Sequence, residues 1–437
     1  MSHSPTAATG PAATAPAGTA APVIPAAPAA PAVSAAPAVS AAVRERALSL
    51  PAGELPAYLY DLGALREHAD AIRRALPERV ELYYAAKANP EAEILTALSP
   101  YVDGFEVSSG GELAHVAQAV PGRPLAFGGP GKTPAETAAA LAAEVARFHV
   151  ESAHELRVLA ALAAERPASA PPVEVLPRFN LPLSDGALHS SALSMGGRPT
   201  PFGLDPSEAG EVMRHLTGGS CPGLRVRGIH AHLASGLGAA DQLAVAESVV
   251  DWAVRLFDRH GVPLHEVNVG GGMAVDYADP GARFDWAGYG AGLARLVTAH
   301  PDLRLRIEPG RALTAYCGWY ATEVLDVKRS HGEDFAVVRG GTHHLRTPAT
   351  KGHDQPCAVL PVAHWPHRWP RPTARGDGVT VAGQLCTPKD VLARGVPAPG
   401  LRAGDRMVFA LAGAYAWNIS HHDFLMHPRP GFHFLGR

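Results

Sequence analysis

Between residues 80 and 308 the chain alternates short apolar, β-branched runs with Ala/Leu/Glu/Arg-rich stretches, eight times over, and few folds satisfy that rhythm. The runs predict strands at 81–86, 104–108, 124–128, 147–151, 173–179, 226–233, 266–269 and 304–308. Helices are predicted between them, among others at 112–119, 134–143, 153–165 and 241–260, where apolar residues recur at three- and four-residue spacing. Strand and helix repeated eight times over about 250 residues predict an α/β fold, a (β/α)8 barrel. Such a barrel also says where chemistry belongs: at the C-terminal ends of its strands.

After about residue 318 the rhythm changes. Stretches 319–327, 335–339, 358–362, 379–384, 406–411 and 432–435 read as strands joined by Gly/Pro turns, with little helix, and predict an all-β C-terminal domain. The resulting division is a tail over 1–44, a barrel over 45–318 and a β domain over 319–437. The run at 57–61 is a candidate extra strand of the β domain. The tail is Ala/Pro-rich and carries no charge before Arg44, so it is expected to be disordered. It has neither the basic start nor the leucine-rich centre of a signal peptide, and no apolar run reaches the length of a membrane span. A net charge of −3 and a pI near 6.7 argue against a nucleic-acid or membrane-surface partner. Four scattered cysteines, Cys221, Cys317, Cys357 and Cys386, suggest a reduced, cytoplasmic protein without a zinc site.

Four predicted barrel strands end in polar or glycine-rich motifs. The first ends at Lys87, one of only five lysines among 38 basic residues. A lysine there can pack its stem and extend its ammonium to water, or it can react as an amine, which arginine cannot. The sixth carries His230, His232 and Ser235; the seventh ends in Gly270, Gly271 and Gly272; the eighth ends in Glu308, Gly310 and Arg311. Three consecutive glycines make a tight turn or let backbone N–H groups approach an anion, and Arg311 on the next strand favours the anion. A reactive lysine with a phosphate cradle implies pyridoxal phosphate. Glu308 then suits the pyridine nitrogen and His232 the face of the ring.

Seven motifs in order carry a resemblance from about residue 55 onward. They are Y-A-A-K-A-N at Lys87, F-E-V-S-S-G-G-E-L at 105–113, H-L-A-S at 232–235 and G-G-G at 270–272. E-P-G-R at 308–311, L-C-T-P-K-D at 385–390 and G-A-Y at 413–415 complete the set. Together they resemble the fold-type III pyridoxal-phosphate decarboxylases, which include diaminopimelate and ornithine decarboxylases and share an alanine-racemase-like barrel. The resemblance implies that Lys87 is the Schiff-base lysine and that His232 stacks on the ring. It implies that Ser235, Gly272, Gly310, Arg311 and Tyr415 hold the phosphate, and that Glu308 pairs with the pyridine nitrogen. It also implies a head-to-tail homodimer in which Cys386 reaches the partner's site to protonate the intermediate. Alanine racemases place an arginine where this chain has Glu308, so decarboxylation is favoured over racemisation.

Members acting on diamines or diaminopimelate carry an acid directly after that cysteine; this chain has Thr387, which cannot offset a distal ammonium in a partly desolvated pocket. The substrate's far end is therefore expected to be neutral or anionic. Segment 339–353, with His344 and Arg346, is rich in cationic and donor side chains, and His364, His367, Arg368, His421 and His422 add more. Arg346 matches the family arginine for substrate carboxylate, whereas the tyrosine expected four residues later is Thr350. Motifs 385–390 and 413–425 resemble the branch serving carboxylate siderophore assembly, similar to staphyloferrin B and achromobactin decarboxylases, which act on citryl-diaminopropionate-type intermediates. The rival readings are a basic amino-acid decarboxylase, a decarboxylase of a carrier-tethered amino acid, and a non-catalytic regulatory homologue.

Overall fold

The computed structural model describes residues 36–182, 193–194, 196–348 and 352–436. Most of the predicted tail and Thr350 lie outside these. Where the tail's end is described it is helical: the Ser40 side chain accepts from the Val43 N–H and caps a helix at Ala41–Ser49.

The eight predicted barrel strands are present and parallel. They run Val80–Ala85, Gly104–Val107, Leu125–Phe127, Arg147–Val150, Val173–Pro177, Leu224–Val226 with Gly228–His230, Glu266–Asn268 and Arg304–Ile307. Each pairs with its neighbour in sequence, and the eighth pairs with the first. The sixth differs from the continuous 226–233 expected. It breaks at Arg227: the first half pairs with the fifth strand and the second half with the seventh. At Gly228 the second half runs so close to the seventh strand that a Cβ would lie 1.5 Å from the Glu266 carbonyl oxygen, closer than any side chain tolerates. A bridge between Arg178 and His230 closes the ring.

The turns that follow the strands are stiffened by caps. Ser109, Thr133 and Ser152 each accept the N–H three residues on, and Glu136 completes a capping box with Thr133. Near the strand starts, the barrel interior holds ion pairs instead of apolar layers. Buried Arg306 meets Glu81 at 2.6 Å and Glu266 at 3.0 Å, and Arg147 meets Glu266 at 2.7 Å. This floor leaves the opposite end as the barrel's working mouth.

The C-terminal strands form a mixed sheet from Gly318–Ser330, Glu333–Val338, Cys357–Leu360, Gly378–Ala382, Arg406–Phe409 and Gly431–Leu435, with an unforeseen strand at Val391–Pro397. The Ala57–Asp61 strand belongs to this sheet, antiparallel to residues 318–321 and parallel to 431–435. Among the described residues no helix is long and apolar enough to cross a membrane.

Candidate active site

The first barrel strand ends in a 3-10 turn, Ala86–Ala88, which turns the Lys87 amine into the mouth. The C-terminal segment holds this turn: Asn418 donates to the Lys87 carbonyl at 2.6 Å and the Tyr415 N–H to the Ala88 carbonyl at 2.8 Å. Lys87 Nζ lies 2.5 Å from Glu106 Oε2, and Ser108 Oγ donates to Glu106 Oε1 at 2.7 Å. Desolvation, the largest influence on Lys87, favours the neutral amine, but Glu106, Tyr415 and Glu308 outweigh it and hold the pKa above the ordinary lysine value. The side chain is nonetheless 45 % exposed, because the cup around it opens upward.

Across the mouth stands Glu308, buried at the end of the eighth strand. Its Oε1 accepts from Asn268 Nδ2 at 2.6 Å. The imidazoles of His149 and His230 approach its two oxygens at 3.8 and 3.6 Å. Burial, with the like charge of Glu106, pushes its pKa up to about 7. Asn268, Arg306 and Lys87 act against that rise. His232 accepts the Gly271 N–H on Nδ1 at 3.2 Å. Burial, then Arg178 and Lys87, lowers its pKa to about 3, so the ring presents a neutral flat face.

The glycines make a backbone cradle that side chains would fill. Gly270 and Gly272 have φ of +71° and +103°, and a Cβ on Gly272 would meet the Ala234 carbonyl at 2.1 Å and Ser235 Cα at 3.2 Å. A Cβ on Gly310 would meet Ala88 at 2.8 Å and the Tyr415 hydroxyl at 3.2 Å. The Arg311 guanidinium stacks over the Tyr415 ring at 4.7 Å and donates to Tyr277 Oη at 2.6 Å. Lys87, His232, Ser235, Gly272, Glu308, Gly310, Arg311 and Tyr415 thus share the strand-end rim. An amine, a carboxyl opposite, a neutral aromatic face and a cationic glycine-lined end fit pyridoxal phosphate. Among the described residues, both nitrogens of buried His230 lack a hydrogen-bond partner.

The expected substrate residues are less unified. Cys386 is exposed beside Thr387 on a loop fastened by buried Asp390, which accepts from the Leu385 and Thr342 N–H groups at 2.8 and 2.7 Å. Arg346 Nη1 contacts His421 Nδ1 at 2.7 Å. His344 is 1 % exposed, with Nδ1 3.1 Å from Tyr320 Oη, and its ring packs against His343 and Trp417. The proposed His/Arg cluster also divides. His422 stacks on Trp417, whereas His367 stacks on exposed Trp369 in a separate stretch.

The sequence reading missed Glu106, Asn268, His149 and Tyr277 as contacts of the site. Glu106 lies within a quoted motif, but only strand pairing brings it to Lys87; Asn268 precedes the glycines by two residues, so its strand-end position could have found it.

Comparison with known proteins agrees with this geometry. Residues 62–315 match the family model of the pyridoxal-dependent decarboxylase, pyridoxal binding domain. The chain is 38 % identical to the 2-[(L-alanin-3-ylcarbamoyl)methyl]-2-hydroxybutanedioate decarboxylase of Staphylococcus aureus, over 86 % of this chain and 93 % of that one. It is 31 % identical to an L-glutamyl-[BtrI acyl-carrier protein] decarboxylase of Niallia circulans, over 86 % and 88 %. It is 34 % identical to a diaminopimelate decarboxylase of Actinosynnema pretiosum, over 84 % and 82 %. Diaminopimelate decarboxylases of Helicobacter pylori and M. jannaschii share the fold, with TM-scores of 0.72 and 0.74 at 24 % and 23 % identity. The first alignment covers 84 % of this chain and 88 % of that one, the second 87 % of each. With the matched model spanning all eight barrel strands, the chain belongs to the pyridoxal-dependent decarboxylases, and its cofactor is pyridoxal phosphate.

Proposed function

We propose that this enzyme removes the α-carboxylate of a citryl-diaminopropionate amide, the compound named for the Staphylococcus aureus relative, in carboxylate siderophore assembly. The observation that carries the reading is 38 % identity along nearly the whole of that relative. Thr387 supports it, because a neutral residue after Cys386 suits a substrate whose far end carries carboxylates instead of an ammonium. Arg346 is the matching counter-charge.

Bound pyridoxal phosphate supplies an aldehyde for amines and a ring that accepts the electron pair left by departing carbon dioxide. Lys87 Nζ, placed by Glu106, anchors it. The N–H groups at the glycine turn, with Ser235, Arg311 and Tyr415, take the phosphate. Glu308 would pair with the ring nitrogen and hold a proton on that atom. His232, being neutral, covers the ring without adding charge. Cys386 of the partner subunit gives its Sγ proton to the substrate Cα, replacing the lost carboxylate. This assignment makes the working unit a homodimer with composite sites. A free thiol in that role also suits the cytoplasm.

The test is carbon dioxide release from citryl-diaminopropionate, diaminopimelate, ornithine and arginine, each at equal concentration. Turnover of the citryl amide is expected. Turnover of a basic substrate alone overturns the reading; with L-glutamyl-acyl-carrier protein as a fifth substrate, turnover of that alone would align the enzyme with the Niallia circulans relative.

A further inference from the structure

Beneath Glu308 lies an arrangement that the family motifs leave without a role. His149 and His230 are 0 % and 4 % exposed, and their rings face each other at 4.2 Å between centroids, tilted by 37°. Asn268 has a fixed orientation: its Oδ1 accepts from the Gly270 N–H at 2.9 Å, so its Nδ2 donates. That nitrogen donates to Glu308 Oε1 at 2.6 Å and lies 3.4 Å from His149 Nε2. His149 Nε2 is therefore the acceptor of that contact, and its ring has no proton there to offer Glu308. His230 differs, because among the described residues neither of its nitrogens has a hydrogen-bond partner and Nε2 is 3.6 Å from Glu308 Oε2, the oxygen that Asn268 leaves open. Burial holds both imidazoles neutral, so a donor from His230 brings a proton without a competing cation.

We infer that His230 is a positioning residue: backed by the His149 ring, it donates its Nε2 proton to Glu308 Oε2. With Asn268 on the other oxygen, it holds the carboxylate ionised and aimed at the cofactor's ring nitrogen. The inference rests on Glu308 being the partner of that nitrogen. His149 contributes its flat face, which fixes the His230 ring from behind; His230 contributes the proton. Buried carboxylates without such donors take up a proton instead, and a protonated Glu308 cannot pair with a protonated ring nitrogen.

The test compares binding of pyridoxal phosphate with its 1-deaza analogue, in which carbon replaces the ring nitrogen, by titrating the apoenzyme and following absorbance. Wild type is expected to prefer the nitrogen-containing cofactor. His230→Phe should weaken pyridoxal phosphate about tenfold or more, the scale of one hydrogen bond to a charged group, while leaving the analogue's affinity unchanged. His230→Gln, which restores an amide donor, should recover most of the preference. A parallel loss for both cofactors, no loss for either, or no rescue by glutamine overturns the inference. Should the His230 variants not fold, His149→Phe must keep the preference and His149→Ala must reduce it, and equal preferences in the two would be equally fatal. Failure of the wild-type protein to bind pyridoxal phosphate at all would instead overturn the cofactor assignment. Wild-type binding without preference would remove Glu308 from the ring nitrogen.

Discussion

Lys87 and Glu106 set each other's charge. Burial and the Lys87 ammonium act in opposition on Glu106, and the ammonium, with Ser108, holds its pKa below the usual carboxylate value. The linkage signs follow. The raised Lys87 pKa stabilises the fold below the unfolded lysine value and is lost as pH rises through the folded one. The lowered Glu106 pKa stabilises above the unfolded value and is lost as pH falls through the folded one. The pair is therefore at full strength across neutral pH. Glu106→Gln leaves desolvation of Lys87 less opposed, so its amine should become reactive at lower pH. Borohydride trapping of pyridoxal on the apoenzyme should then shift downward by about one pH unit or more; a profile that stays in place would detach Glu106 from the amine. Lys87 and Glu308 were legible because each ends a predicted strand inside a compact motif. Glu106 was not, because its partner is 19 residues away and only strand pairing brings them together.

At the scale of elements, the loop that presents Cys386 depends on one carboxylate. Asp390 closes hydrogen bonds to Thr342 and Leu385, drawing 383–390 against the turn after Glu333–Val338. Asp390→Ala leaves those buried N–H groups unsatisfied, at about 1–3 kcal/mol each. The variant should unfold at lower urea and turn over slowly, while still binding pyridoxal phosphate with wild-type affinity. Loss of cofactor binding would show that the loop does more than present the thiol. Most barrel strands were legible within a residue or two, because parallel strands buried on both faces read as apolar runs. The strand Val391–Pro397 was not, since Arg394 and Gly395 interrupt its alternation and its support comes from pairing with Gly378–Ala382.

At the scale of the whole molecule, a shared site has an arithmetic signature. If Lys87 and Cys386 act across a dimer, a hybrid of Lys87→Ala and Cys386→Ala chains carries one doubly damaged site and one intact one. Mixing the refolded variants should raise activity above the mean of the two, toward about a quarter of wild type. Activity that never exceeds the mean would keep the site within one chain. Composition and motifs could imply such a dimer only through resemblance, because the Cys386 loop is far in sequence from the amine it would serve.

The Ala57–Asp61 strand lies between residues 318–321 and the Gly431–Leu435 strand. Its two neighbours leave the ribosome long after it does, the second only near the end of the described chain. During synthesis the barrel strands can pair in order while this early strand waits with open edges, exposed to other nascent chains. The same late closure governs the turn around Lys87, whose carbonyls are held by Tyr415 and Asn418. A nascent chain that has not yet reached Asn418 would therefore carry the reactive lysine on a loose rim, and a cofactor-ready pocket waits for residues more than 300 positions downstream of the lysine it serves.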